Sequence, residues 1–351
     1  MSVVMILAGL MFISGMKIAG EGSFHRDYCS VEKSTALKGV FVMLVFFQHF
    51  RTYITPEETD FMAVRVSEFL GQLIVVPFLF YSGFGVMESI RAKGHSYVHR
   101  IPVDRALKTL LHFDAAVLLF LALYLFRGNT VTWKSILLSL ICLHSFGNST
   151  WYIFAIVTLY LITAVSFTVF RKNKTAAATA VTVLTIAEIY WLMGWQREHW
   201  HNTLLCYSMG IWYSLFRERI EKILMGGDVI YLAALLGSVS AFAVFRNVAN
   251  LYPWGFHVYA LIFMTVLLLL SMKFSLDNPL LQFLGRHIFG MYILQRLPMI
   301  ALRHLGIFQN NTVTLMVVCF LITCILTLLF EGFLKKMDHF LFCVKNKQET
   351  A

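Results

Sequence analysis

Charged residues are scarce in this chain of 351 residues: Asp, Glu, Lys and Arg together make up 14% of it, against 58% hydrophobic residues. Soluble domains contain about a quarter charged and about half apolar residues, so a water-soluble protein is excluded. The low charge content and the 32 phenylalanines also exclude a disordered or nucleic-acid-binding chain, despite a net charge of +10.

Patterns typical of a disulfide framework or a zinc site are also missing. No CxxC pair occurs among the six cysteines, which are Cys29, Cys142, Cys206, Cys319, Cys324 and Cys343. Four of them lie inside apolar runs, where cysteine behaves as a small hydrophobic residue. The pair His199 and His201 has no third ligand nearby in sequence, so we expect no metal.

Long apolar runs are abundant instead, and they are continuous rather than alternating, which indicates transmembrane helices and not a barrel. The sequence therefore predicts an all-α polytopic bundle. Its eleven predicted spans are Val3–Ile18, Leu37–Ile54, Phe69–Ser89, Leu107–Phe126, Trp151–Phe170, Ala176–Trp195, Thr203–Phe216, Val229–Phe245, Trp254–Met272, Phe283–Leu302 and Val313–Leu334.

Basic loops set the predicted orientation in a cell membrane, because Lys and Arg concentrate on the cytoplasmic side. All basic loops face the cytoplasm only if the shorter run Ile136–Leu143 does not cross, so we predict a re-entrant or interfacial segment there. The N-terminus then lies outside and the C-terminus inside. The predicted regions are an extra N-terminal helix with an inner linker (1–33), a membrane domain (34–334) and a basic cytoplasmic tail (335–351).

A basic residue and a histidine, Lys38 and His49, are separated by ten residues. This spacing resembles the Arg/Lys-x10-His signature of the acyltransferase-3 family of membrane acyltransferases. Further segments follow in the order of that family, over residues 34 to about 334: Phe80–Gly85 with its Ser-Gly-Phe, the basic loop from Tyr97 to Arg105, Trp151–Tyr152, and Leu284–Leu294. Two positions depart from the pattern: Lys38 replaces the more usual Arg, and Gln295 stands where relatives often carry histidine.

The resemblance implies a membrane O-acyltransferase with His49 as general base, a role that suits a histidine near neutral pH. Lys38 lies too far from His49 to touch it and is expected to bind a phosphate or carbonyl of the acyl donor. Ser82 lacks the Gly-x-Ser-x-Gly setting of a nucleophile, so its small neighbours are expected to allow close helix approach or passage of the acyl chain.

Other polar residues lie at similar depth in the outer half of the predicted bundle, where charges are costly and usually line an aqueous cavity. These residues are His49, Arg51, Glu188, Arg246 and Arg296. We predict that Glu188 and Arg296 assist catalysis, with Glu188 either balancing His49 or pairing with Arg296; a purely structural Glu188–Arg296 bridge is the alternative. Arg51, Trp151 and Tyr152 are predicted to contact the acceptor.

The inner basic loop is the predicted site for the phosphates of acetyl-coenzyme A, through Arg91, Arg100 and Arg105. Ordinary positive-inside charge on anionic lipid is the alternative. The expected reaction moves an acyl group, acetyl in the first instance, to a hydroxyl of an envelope glycan or glycolipid. A transporter or flippase for a lipid-linked glycan is the rival hypothesis, and a structural subunit a weaker one; homo-oligomerisation stays open.

Overall fold

Helices make up nearly all of the computed structural model, which describes residues 6, 9–10, 13–55, 61–308 and 311–343. The predicted all-α class is confirmed. The helices after residue 30 are α1 (Val31–Arg51), α2 (Phe61–Leu70), α3 (Val76–Lys93), α4 (His95–Ile101), α5 (Lys108–Phe126), α6 (Trp133–Leu140), α7 (Trp151–Val169), α8 (Lys174–Met193), α9 (Leu205–Leu224), α10 (Asp228–Val248), α11 (Gly255–Lys273), α12 (Pro279–Arg286), α13 (Ile288–Leu294), α14 (Arg296–His304) and α15 (Thr312–Asp338).

Seven helical stretches among the described residues are long and apolar enough to cross a membrane. They are Val64–Lys93, His95–Phe126, Trp151–Val169, Lys174–Met193, Asp228–Val248, Gly255–Lys273 and Thr312–Phe342. Each matches one of the eleven predicted spans. Helices α1 and α9 are also long, with 21 and 20 residues, but carry charged residues at their ends. The total of eleven spans stays a prediction.

The first predicted span, Val3–Ile18, lies partly outside the described residues, and its last part is not helical. Met16–Ile18 form strand β1, which pairs antiparallel with β2 (Phe274–Leu276). A strand cannot continue a helix, so the prediction was wrong for these three residues. The ribbon joins the N-terminal segment to the end of α11.

The predicted span Phe283–Leu302 is also wrong as a single helix, because the structure divides it among α12, α13 and α14. Pro298 lies in the first turn of α14 and has no N–H to donate to the carbonyl of residue 294, so the helix breaks before it, at Gln295. The last helix also extends beyond the predicted domain boundary at residue 334, since α15 runs to Asp338.

The run predicted not to cross, Ile136–Leu143, overlaps the second half of α6, a helix of eight residues that begins at Trp133 and ends at Leu140. At 1.5 Å per residue it is about 12 Å long, which is too short for a hydrocarbon core of about 30 Å. Its N-cap Thr132 and Ser135 form a capping box, in which each side chain binds the other's backbone N–H.

Close backbone contacts hold the centre of the bundle together. A Cβ atom added to Gly83 on α3 would collide with the backbone of Tyr207 on α9, and one added to Gly210 with that of Phe80. Glycine at both positions lets α3 and α9 touch, which agrees with the packing role predicted for the small residues around Ser82. This contact fixes the wall of the cavity described next.

Candidate active site

One continuous helix, α1, carries both residues of the Lys-x10-His motif. It begins after Ser30, whose hydroxyl accepts a hydrogen bond from the backbone N–H of Lys33, and ends at Arg51. His49 lies eleven positions after Lys38 on this helix, a distance of roughly 16 Å along the axis. Three helical turns separate them, so both side chains lie close to the same face. The motif is therefore a pair of distant sites on one helix.

The Lys38 end of α1 faces a cavity of about 540 Å³, here called the large cavity. Helices α1, α3, α7 and α13 form its walls. Four residues predicted to bind donor or acceptor line it: Lys38, Ser82, Arg105 and Tyr152. The Ser82 hydroxyl lies near the phenol groups of Tyr152 and Tyr160, so the middle of the cavity is polar. The structure thus brings together residues from four separate sequence motifs.

Two cations make the large cavity suited to an anion. Lys38 is partly buried, and no described residue forms an ion pair or hydrogen bond with its ammonium group. Arg105 donates a hydrogen bond from Nε to the Tyr97 hydroxyl at 3.1 Å, and that phenol does not neutralise it. A partly buried charge without a counterion is costly, so an anionic ligand would stabilise Lys38. Arg105 is exposed and adds a second positive charge to the lining of the cavity.

His49 lines a second, much smaller cavity of about 50 Å³, here called the histidine cavity. Trp151 and the amide side chains of Gln48 and Gln72 share it. The His49 Nδ1 atom is buried and has no hydrogen-bond partner among the described residues. A ring nitrogen without a protein partner can accept a proton from a bound hydroxyl.

Tyr292, on α13, lines both cavities. Its ring lies 6.3 Å from that of His49 and 5.4 Å from that of Tyr152, measured between centroids. Its hydroxyl is buried near Ser149 but makes no hydrogen bond of good geometry with the described residues. Tyr292 therefore forms the wall between the two cavities, with a polar group free to bind a ligand.

The sequence reasoning did not assign Tyr292 a role, although it belongs to the Leu284–Leu294 segment that supported the resemblance. A tyrosine three residues before the break at Gln295 was the available signal. Gln295 itself is 1% exposed and donates a hydrogen bond from Nε2 to the Tyr292 carbonyl at 3.0 Å. The residue that replaces the family's histidine thus binds the backbone at the break.

Two predicted donor-binding arginines lie elsewhere. Arg91 donates to Glu88, to Glu218 and to the carbonyl of Ser214, and so links α3 to α9. Arg100 is exposed and pairs with Asp104 one turn later. Neither lines the large cavity, because acidic neighbours on the helices hold both side chains away from it.

The single outer chamber predicted from depth is not formed as expected. Glu188 accepts a hydrogen bond from the Thr158 hydroxyl, and no described contact joins it to His49 or Arg296. Both pairings predicted for Glu188 are therefore absent from the described part of the chain. Arg246 stacks its guanidinium on Phe69, 4.6 Å from the ring centroid. Depth along a helix does not specify which way a side chain points.

Arg296 does lie near the histidine cavity. Its Nε donates a hydrogen bond to the Tyr53 hydroxyl at 2.7 Å, and its charge interacts with the His49 ring. Arg51, at the end of α1, is partly buried but lines neither of the two cavities. Trp151 contacts both Tyr152 and His199 by ring edges, at 5.8 and 6.0 Å.

The protein is thus a bundle of apolar helices with a cavity lined by two cations and a histidine beyond the far wall of that cavity. The sequence matches the acyltransferase domain of the acyltransferase-3 family over residues 32–332. The chain belongs to this family. Comparison with curated proteins and with solved structures finds no match.

Proposed function

We propose that the protein transfers an acyl group from acyl-coenzyme A, in the first instance acetyl-coenzyme A, to a hydroxyl of an envelope glycan or glycolipid. The observation that carries this proposal is the position of Tyr292, whose side chain borders both the large cavity and the histidine cavity. A donor in the first cavity and an acceptor in the second would meet at that side chain.

The large cavity holds the donor in this proposal. Lys38 and Arg105 neutralise phosphate oxygens, and each such charged hydrogen bond is stronger than a neutral one. Ser82 and Tyr152 line the cavity between the cations and Tyr292, and their hydroxyls offer hydrogen bonds to the amide groups of the donor arm. The thioester is then directed toward His49.

The chemistry is a direct transfer at the wall between the cavities. His49 accepts the proton of the acceptor hydroxyl through a ring nitrogen while the hydroxyl oxygen attacks the thioester carbonyl carbon. The carbonyl oxygen becomes an oxyanion, which the Tyr292 hydroxyl stabilises by donating a hydrogen bond. The tetrahedral intermediate collapses, the carbon–sulfur bond breaks, and the coenzyme A sulfur leaves with the proton held by His49.

The cationic side chain of Arg296 has a supporting role. Held by the Tyr53 hydroxyl near the His49 ring, its guanidinium would stabilise negative charge that develops on the thioester carbonyl oxygen. Trp151 lines the histidine cavity, which at about 50 Å³ has room for the reacting hydroxyl group of the acceptor and not for a whole sugar ring. The rest of the acceptor would lie outside this cavity.

The proposal is tested with purified protein in liposomes. The liposomes contain radiolabelled acetyl-coenzyme A, and an extract of lipid-linked glycans is added outside. Label is expected in the glycan fraction, dependent on His49. Hydrolysis of the thioester with no label in any glycan or lipid would overturn it. Movement of unlabelled glycan across the bilayer with no acyl transfer would instead support a flippase.

A further inference from the structure

A third cavity, of about 490 Å³, lies at the end of the bundle that carries His49. The connection between α8 and α9 forms one side of it, and the connection between α10 and α11 forms the other. Much of its lining is polar, through Gln196, Glu198, His201, Asn202 and Asn250. Neither the large cavity nor the histidine cavity includes any of these residues.

Buried polar atoms in this third cavity have no protein partner. Asn202 and His201 are each 5% exposed, and both line it. The Asn202 Oδ1 and His201 Nδ1 atoms make no hydrogen bond with the described residues. Buried polar groups are normally paired, so two unpaired ones in a polar cavity indicate a ligand with hydrogen-bonding groups.

The charge of the lining indicates a neutral ligand. Glu198 is the one acidic or basic side chain among the described lining residues apart from His201. Burial lowers the pKa of His201 from its ordinary value, so its ring is neutral near pH 7 and offers one donor and one acceptor. A phosphate or carboxylate ligand would be repelled by Glu198 and would find no cation.

Aromatic rings stand beside these polar groups. Phe256 lines the cavity, and Tyr252 lines it with 67% of its surface exposed. Aromatic faces beside planar amides and a carboxylate suit a sugar, whose ring has an apolar face and an edge of hydroxyls. Tyrosine also offers a polar group beside its apolar ring.

The third cavity is also close to the proposed reaction. Glu198 and His199 belong to the same short turn, Glu198–Trp200. The His199 ring contacts Trp151 at 6.0 Å between centroids, and Trp151 lines the histidine cavity. One pair of rings therefore separates the two polar sites, a spacing that neighbouring residues of one oligosaccharide can bridge.

We propose that the third cavity binds a neutral sugar residue of the acceptor, next to the residue that receives the acyl group. Asn202, Gln196 and His201 would supply hydrogen bonds, and Tyr252 would supply a stacking surface. The inference rests on the proposed function for its biological sense, but the binding site itself does not require transfer. It gives the protein a subsite that recognises more of the glycan than the reacting hydroxyl.

Calorimetric titration of the full-length protein in nanodiscs, without acyl donor, tests the site. The probes are neutral tetrasaccharides built from glucose, galactose, mannose, N-acetylglucosamine or N-acetylgalactosamine. At least one is expected to bind, and Asn202→Ala with Gln196→Ala should weaken it by about tenfold or more, since each neutral hydrogen bond contributes about 0.5–1.5 kcal/mol, and 1.4 kcal/mol is tenfold. The control is Asn129→Ala, because Asn129 lies on another loop and bonds the Tyr124 carbonyl.

Failure of every tetrasaccharide to bind, or equal affinity in the native protein and the Asn202, Gln196 double variant, would overturn the inference. A thermal stability equal to that of the native protein would show that the double variant is folded. Tyr252→Ala, at the exposed rim of the cavity, provides a second variant that leaves the interior intact. Sugar binding by a protein that never transfers an acyl group would leave the subsite standing and reject the proposed function. In the transfer assay the subsite variants should raise KM for the glycan with little change in kcat.

Discussion

The large cavity and the histidine cavity lie along the same helix but differ in size and charge. The first is about 540 Å³ and holds Lys38 and Arg105, whereas the second is about 50 Å³ and holds a histidine without a carboxylate partner among the described residues. The size and positive charge of the first suit a large anion, and the second has room for one small group. In the proposed function, donor binding and chemistry are therefore separated along α1.

Tyr292 connects the two cavities, because its side chain lines both of them. The break between α13 and α14 follows three residues later and is fixed by Pro298 and by the Gln295 side chain. An irregular segment at membrane depth is tolerated where protein covers it. The break thus lets one residue serve both cavities.

The largest expected effect is at the histidine cavity. His49→Ala should lower kcat by about 10²–10⁴-fold, the usual loss for a general base, and leave the Kd for coenzyme A unchanged. The measurement is acetyl transfer in liposomes beside calorimetric binding of the donor. His304→Ala is the matched control, because His304 is an exposed histidine at the end of α14.

Near-native turnover of the His49 variant would remove the histidine from the reaction and leave the cavity as a packing defect. Loss of donor binding in the same variant would show that the two cavities are not functionally separate. Neither result is expected, because His49 does not line the large cavity.

A smaller but still large effect is expected at the wall. Tyr292→Phe keeps the ring that contacts His49 and Tyr152 but removes the hydroxyl. Loss of one oxyanion donor costs about 10²–10³-fold in kcat, so a fall of this order is expected with donor Kd retained. An unchanged kcat would mean that another group stabilises the oxyanion. Tyr190→Phe, an exposed tyrosine on α8, is the control.

The third effect is on binding and distinguishes among the cations. Lys38→Met and Arg105→Gln should each weaken coenzyme A binding about ten- to a hundredfold, since hydrogen bonds to charged groups contribute about 1.5–3 kcal/mol. Arg100→Gln should have little effect, because Arg100 is paired with Asp104 and does not line the large cavity. Titrations at low and physiological salt check this result, since screening weakens exposed contacts most.

Equal losses of coenzyme A affinity in the Lys38, Arg105 and Arg100 variants would contradict this expectation. They would favour the whole inner loop as the donor site, as the sequence predicted. No loss in any of them would show that the large cavity does not bind phosphate. The kcat of the Lys38 and Arg105 variants at saturating donor should stay near native.

Much of the fold was predictable from the sequence because apolar length is a strong signal. Seven of the predicted spans coincide with long apolar helices, and α6 is as short as its sequence suggested. The failures are local. The ribbon at Met16–Ile18 depends on pairing with residues about 260 positions away, which no local pattern reveals. The break near Pro298 was visible as a proline but was outweighed by the hydrophobic run.

Less of the candidate site was predictable. Motif spacing found Lys38, His49, Ser82 and Tyr152, which all line one of the two cavities. Charge alone misplaced Arg91 and Arg100, because their acidic partners were not considered. Membrane depth grouped Glu188 and Arg246 with His49, but depth says nothing about direction around a helix. Tyr292 was missed because only the folded chain shows that it touches two cavities.

The smallest expected effect is at Glu188, which the sequence places at a membrane depth similar to that of His49 but which does not contact it among the described residues. Glu188→Gln keeps an oxygen that can accept the hydrogen bond from the Thr158 hydroxyl and removes the ionisable carboxyl group. No described contact joins Glu188 to His49 or Arg296, so kcat and acceptor KM should both stay within about threefold of native, as for a substitution that keeps its hydrogen bond. Thr158→Val is the matched control, since it removes the same hydrogen bond and leaves the carboxyl group. Steady-state transfer at several glycan concentrations measures both constants. A hundredfold loss of kcat in Glu188→Gln alone would reinstate Glu188 as the partner of His49 and would mean that α8 moves toward α1 when substrate binds.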